Sequence, residues 1–112
     1  MGAIIFLVNQ VIDMKLVLTE SSDWVMLSVV LEMNEVLEPR HLKTVKLPEV
    51  SLNQGIIIDG RAPIWMYCFL AAHYKPCKWL AINDPKQGGA VVSMSHDPST
   101  RVGDIVSTAI IV

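Results

Sequence analysis

The chain is predicted to form a single α+β domain, one sheet with helices packed on it, and three observations carry that prediction. Apolar runs rich in Val, Leu, Ile and Met recur with partial alternation, the mark of half-buried strands. One longer apolar segment contains Ala71 and Ala72 and has Pro63 near its start, which is the pattern of a helix. No linker rich in Gly, Ser or Pro divides the 112 residues, so one core serves the chain.

Each element follows from its local chemistry. "MKLVLTE" and "DWVMLSVVLEM" read as a strand hairpin, with "SSD" supplying the turn. "EPRHLKTVKL" has a proline near a helix start and then Leu42 and Val45 at helical spacing, which predicts a short helix ending by Pro48. "GIIID" after Gly55 is a β-branched run fit for a buried strand. "APIWMYCFLAAHY", residues 62–74, predicts a buried helix closed by Lys75-Pro76. "CKWLAIND" and "GAVVSMSH" form a hairpin, and "DIVSTAIIV" a last strand after Gly103-Asp104. The opening "MGAIIFLVNQVID" is too short to span a bilayer and lacks the flanks of a secretion signal. Residues 1–13 read as an extra strand or as an extension before Met14, and residues 14–112 as the domain.

Composition bounds the function. With 52% hydrophobic and 18% charged residues, a chain this small has more apolar surface than it can hide, so an oligomer is expected. A net charge of -2 provides no basic field for long nucleic acid, DNA included, and a nucleotide ligand would need a local site. Cys68 and Cys77 have neither zinc spacing nor a disulfide framework, which sets a reducing, cytoplasmic expectation with no membrane partner.

The polar residues fall into two groups. The helix over residues 62–74 is about 20 Å long at ~1.5 Å per residue, and the strand that follows it is of similar length at ~3.3 Å per residue. The chain therefore runs down the helix and back up the strand. Gly60, Arg61, Asp84 and Lys86 gather at the upper end, and His73, Lys75, Ser95 and His96 at the lower end, on the order of 20 Å away. A helix start attracts anions, Gly60 allows close approach and Arg61 can fork onto phosphate oxygens, although a cap beside a solvated charge gives the same pattern. At the lower end, His96 has the chemistry of a general base or a ligand for a metal such as manganese. His73 equally suits a helix C-terminus, where its charge meets the dipole. His41 reads as a surface residue, and Trp24, Trp65 and Trp79 as core. Asp84 and His96 can act together only across a subunit interface.

The series "GIIIDGRAPIWMYCFLAAHYKP", "WLAINDPKQGGAVVSMSH" and "RVGDIV" resembles the Csx-three family, small CRISPR-associated proteins of type III systems also described as ring nucleases. The resemblance runs from Met14 onward and includes "HLKTVKLPEV". It implies a ferredoxin-like sandwich with two helices on an antiparallel-rich sheet. It also implies dimers that associate further, into tetramers or beyond, and manganese-dependent cleavage of RNA. The substrate implied is cyclic tetra-adenylate, held between dimers. By the same resemblance Gly60 and Arg61 match the Gly-Arg before the helix, Asp84 the acid of an Asp-Pro-Arg turn with Lys86 replacing its arginine, and His96 the histidine of a Ser-His motif. Asp84 and His96 thereby stand as expected metal ligands, and as catalytic residues with Lys75. Gly60, Arg61, Lys86, Ser95 and His73 stand as ligand contacts. One departure stands out: such relatives carry a histidine where this chain has Lys75, in Tyr74-Lys75-Pro76. A lysine of ordinary pKa is a poor base near neutral pH. A nuclease, a cyclic-nucleotide sensor and a plain dimerisation domain are the three functions weighed.

Overall fold

The βαβ unit at the centre of the chain organises the rest. In a computed structural model, which describes the backbone of residues 3–9 and residues 14–31 and 36–108 in full, β4 (Gly55–Gly60) leads through α1 (Ile64–Tyr74) into β5 (Trp79–Asp84). β4 pairs with β5 in parallel, Gly55 opposite Trp79 and Ile58 opposite Ile82. A parallel pair cannot be closed by a tight turn, and α1 makes the crossover. Ile56, Ile57 and Ile58 have no exposed surface, because β4 is covered on both faces.

β1 (Ala3–Asn9), β2 (Met14–Glu20) and β3 (Trp24–Leu31) form an antiparallel meander beside it, and β3 pairs with β4 in parallel. β6 (Gly89–Ser95) returns antiparallel to β5, and β7 (Ile105–Val106) pairs with β6. The strands lie across one seven-stranded sheet in chain order. On the α1 side, Met14, Leu16 and Leu18 of β2 alternate inward and meet Val25, Leu27, Val29, Ile56, Ile58 and Leu80. From the helix, Met66, Leu70 and Tyr74 face them at i, i+4 and i+8. The opposite face buries a smaller cluster around Trp24, Ile57, Trp79, Ala81 and Val92.

The α+β class is observed. The two-helix ferredoxin-like sandwich is not confirmed: β3, β4 and β5 are adjacent and parallel rather than split, and α1 is the one α-helix among the described residues. The expected short helix over residues 38–47 is a five-residue 3-10 segment, Pro39–Lys43. Thr44 leaves helical geometry at φ -123°, and the β-branched pair Thr44-Val45 favours extension. His41 is also corrected. It is 6% exposed, and its Nδ1 accepts the Glu38 amide N–H at 2.9 Å. Helix α1 is a surface helix rather than a buried one, since Ile64 is 81% exposed and Cys68 is also exposed. The last strand covers Ile105–Val106, and residues 109–112 lie outside the described residues. Both cysteines are free, and among the described residues no helix is long and apolar enough to cross a membrane.

Two contacts hold the crossover segments. Gly60 has φ +122°, and a Cβ there would lie 2.4 Å from the Val29 carbonyl oxygen, so only glycine fits beside β3. Tyr74 donates its hydroxyl to the Pro48 carbonyl at 2.6 Å, tying α1 to the loop before β4. Gly60→Ala should therefore lower unfolding stability by about 1–3 kcal/mol in urea titrations. Burial pushes the Tyr74 hydroxyl from 10.0 up to about 12. Between those values the folded state holds a proton that the unfolded state has lost, so stability falls as pH rises through that window. In Tyr74→Phe that part of the alkaline decline should vanish, as read from the denaturation midpoint against pH.

Candidate functional site

The parallel register sorts the polar residues onto two sheet edges. Val29 of β3 lies opposite Gly60 of β4, and β4 and β5 both end at this upper edge, as Gly60 and Asp84. Arg61 is exposed just beyond Gly60, and Lys86 is exposed in the 3-10 turn Pro85–Gln87 that follows Asp84. The Asp84 carboxylate accepts the Lys86 amide N–H at 3.1 Å, capping that turn. The Gly60 carbonyl accepts the Tyr67 hydroxyl, which fixes the approach to α1. Pro63 stands at the helix N-cap and offers no side-chain cap.

One residue further into the sheet, a polar row crosses three strands on the face away from α1. Ser28 donates to Asp59 Oδ2 and Asn83 to Asp59 Oδ1, both at 3.0 Å, while Thr108 donates to Asn83 at 3.1 Å. Both carboxylate oxygens of Asp59 are thus engaged, which braces the upper edge. Sequence reasoning passed over Asp59. Its signal was an acid directly before Gly60-Arg61, closing a β-branched run.

The lower edge carries the second group. Trp79 opens β5 and pairs with Ser95 of β6, while Asp84 pairs with Gly89. Five residue steps separate Trp79 from Asp84, roughly 17 Å at ~3.3 Å per step. The expected separation of Asp84 from His96 is therefore observed, and one chain does not bring them together. A bulge between Leu80 and Ala81 shifts the pairing of β6 by one residue. Without it, Ser95 would not lie opposite Trp79.

His96 is set by two contacts. Its amide N–H donates to the Lys78 carbonyl at 2.9 Å, and its Nδ1 lies 3.0 Å from the Cys77 carbonyl oxygen. A carbonyl only accepts, so Nδ1 carries the proton and the neutral ring keeps its lone pair on Nε2. That is the tautomer a general base or a metal ligand needs. Ser95 turns inward: its hydroxyl donates to the Thr100 carbonyl, lies 3.0 Å from the Asp97 carbonyl oxygen and accepts the Asp97 N–H, holding the loop after β6. His73 is exposed and meets Tyr74 edge-on, with ring centroids 4.6 Å apart. Lys75 is exposed at the helix C-cap.

Three concave regions surround this edge, of about 380, 410 and 450 Å³, and His96 lines the two smaller ones. None of the three is lined by Gly60, Arg61, Asp84 or Lys86. Lys78 and Asp97, absent from the sequence-based selection, border them, with Nζ and Oδ2 3.8 Å apart. Among the described residues no three His, Cys, Asp or Glu side chains come together to hold a metal. Asp84 and His96 stand on opposite edges, so a metal held by both would need two subunits.

The geometry defines an α+β sheet protein with Arg61, Asp84 and Lys86 at one sheet edge and His96 with Lys78 and Asp97 at the other. The family description "CRISPR-associated protein (Cas_csx3)" matches residues 30–107, and the chain belongs to that family. It is also similar to an uncharacterized protein of Aquifex aeolicus (strain VF5), 40% identical over 79 residues, which covers 67% of this chain and 71% of that protein.

Asp97 gives the edge a testable pH response. Hydrogen bonds from the Ser99 amide and hydroxyl hold its carboxyl below the ordinary value of 3.8. A depressed carboxylate stabilises above its unfolded pKa and loses that contribution as pH falls through the folded one. The Ser99 amide should keep its hydrogen-exchange protection through the ordinary Asp range and lose it only as pH falls further. In Asp97→Asn the protection should no longer depend on pH in that window.

Proposed function

We propose that the chain binds and cleaves cyclic tetra-adenylate, the second messenger of type III CRISPR defence, as a phosphodiesterase whose site joins two edges from different subunits. Membership of the Cas_csx3 family over residues 30–107 carries this reading most strongly. The free Nε2 of His96 supports it. So does the placement of Arg61 and Lys86 on the opposite edge, where only a second subunit can present them to His96. The exposed row of Ile64, Cys68 and Ala72 on α1 offers apolar surface for homodimers that stack into tetramers.

In this site Arg61 and Lys86 of one subunit neutralise the scissile phosphate, and Gly60 lets it approach the backbone. Asp84 orients the attacking ribose. His96 of the facing subunit takes the proton from a ribose 2'-hydroxyl, whose oxygen bonds to the adjacent phosphorus as the bond to the 5'-oxygen breaks. Lys75 stabilises charge on the departing oxygen, which takes a proton from solvent. The products are a 2',3'-cyclic phosphate and a 5'-hydroxyl. Short linear RNA, cleaved with manganese, is the second substrate class proposed.

A sensor or sequestering module is the competing reading, favoured by Lys75 at a position where the resemblance implies histidine. Incubation with cyclic tetra-adenylate, with and without manganese, separates the two: linear product supports the enzyme, and tight binding without product supports the sensor. Asp84→Ala and His96→Ala proteins should each be inactive, and a mixture with demonstrated subunit exchange should recover part of the activity. A mixture as inactive as its components would exclude a shared site. Lys75→His should raise turnover several-fold in single-turnover assays.

A further inference from the structure

The motif "RVGDIV", residues 101–106, has no part in the chemistry assigned so far, yet the fold fixes its first residue beside His96. The loop after β6 closes there in a tight turn. The Arg101 amide N–H donates to Asp104 Oδ2 at 2.8 Å, and the Arg101 carbonyl accepts the Asp104 N–H at 2.9 Å. Gly103, at φ +95°, lets the turn close. Its N–H donates to the Val92 carbonyl at 2.8 Å, and the Asp104 carbonyl accepts the Val92 N–H at 2.9 Å, which pins the turn to β6. The hydroxyl of Ser95, one residue before His96, donates to the carbonyl of Thr100, one residue before Arg101. The backbones of His96 and Arg101 are thus tied to each other, and both residues line the depression of about 410 Å³.

Of the two cations that share a depression with His96, only Arg101 is unengaged. Lys78 lines the other depression, but its Nζ lies 3.8 Å from Asp97 Oδ2. Arg101 is exposed, and among the described residues no carboxylate lies within ion-pair distance of its guanidinium. The acids of the same loop are committed elsewhere, Asp104 to the Arg101 amide and Asp97 to Ser99 and Lys78. A guanidinium on a fixed backbone presents a planar fork of donors that matches two oxygens on one phosphorus. Neutral His96 in the same depression adds a group that can take a proton beside the bound anion.

Resting on the nuclease reading above, we infer that Arg101 is a phosphate-binding residue that acts in the same subunit as His96 on the phosphoryl group under attack. The phosphate is then held from both sides, by Arg61 and Lys86 of one subunit and by Arg101 of the facing one. Arg101 forks onto the two non-bridging oxygens, where charge grows as the 2'-oxygen bonds to phosphorus and the 5'-oxygen departs. His96 takes the 2'-hydroxyl proton in the same step. A contact that strengthens as charge develops acts on turnover more than on affinity.

Arg101→Gln keeps the amide N–H that holds the turn and removes the charge, while Arg101→Lys keeps the charge and removes the fork. With cyclic tetra-adenylate, Arg101→Gln should slow single-turnover cleavage at least about tenfold with a smaller change in Kd, and Arg101→Lys should recover part of the rate. Under demonstrated subunit exchange, Arg101→Gln mixed with Asp84→Ala protein should regain activity, whereas mixed with His96→Ala it should not. Inorganic phosphate, titrated at constant ionic strength with chloride as the control, should shift the NMR resonances of the Arg101 Nε–H and the His96 ring. The His96 shift should be lost in Arg101→Gln. No phosphate shift at Arg101 in the wild-type protein, a His96 shift that survives in Arg101→Gln, or recovery with His96→Ala would overturn the inference. If the ring is cleaved and Arg101→Gln matches the wild-type rate, the role of Arg101 fails and the nuclease reading stands. If phosphate shifts both residues but no ring is cleaved, the anion site stands and the nuclease reading fails.

Discussion

Parallel pairing of β4 with β5 is the constraint on which the other features depend. The pairing requires a crossover, and α1 meets that need at a matching length: eleven residues at ~1.5 Å span about 17 Å, close to the reach of a six-residue strand at ~3.3 Å per residue. The helix then lies along the sheet and covers Ile56, Ile58 and Leu80. Gly60 is the point where the geometry is tightest. Its positive φ and its contact with the Val29 carbonyl let β4 leave the sheet beside β3 without a clash. The hydroxyl of Tyr67 then closes on the Gly60 carbonyl and sets the path of the next segment.

Because the strand ends are aligned by that pairing, chemistry divides between edges. Strands β3, β4 and β5 point the same way, so Gly60, Arg61 and Asp84 meet at their C-terminal ends, where open sheets with parallel strands commonly bind ligands. The antiparallel return of β6 carries His96 to the other edge. The β5–β6 hairpin thus spans the sheet between the two edges. In the proposed composite site a second copy of the chain would present the facing edge.

Much of this was legible in the sequence because the signals were local. Alternation in "MKLVLTE", the β-branched run at Ile56–Ile58 and the turn chemistry of Asp84-Pro85 with Gly88-Gly89 each act within a few residues. Where the outcome depended on distant partners, local reading fell short. Leu42 and Val45 have helical spacing, yet the segment extends after Lys43 and its apolar side chains pack on a core built by other elements. His41 carries no sequence sign of burial, and its ring is enclosed where the 3-10 segment packs against the domain. Helix α1 is apolar all round, which reads as burial, but Met66, Leu70 and Tyr74 are its fully buried row, with Trp65, Tyr67, Phe69 and Ala71 half-buried beside them.

The candidate site shows the same division. Sequence alone determined the α+β class, the hairpin with an acid at one end and a histidine at the other, and the separation between them, since strand rise is a property of the backbone. The family followed from the motifs in order. Tertiary structure decided which residues share a face and a cavity. The β6 bulge that sets Ser95 opposite Trp79, the Cys77 carbonyl that selects the His96 tautomer, and the cleft joining Asn53 and Gln54 to Lys78 and Asp97 all arise from contacts between segments far apart in the chain. Such contacts depend on how the elements pack, and no spacing within one element encodes them.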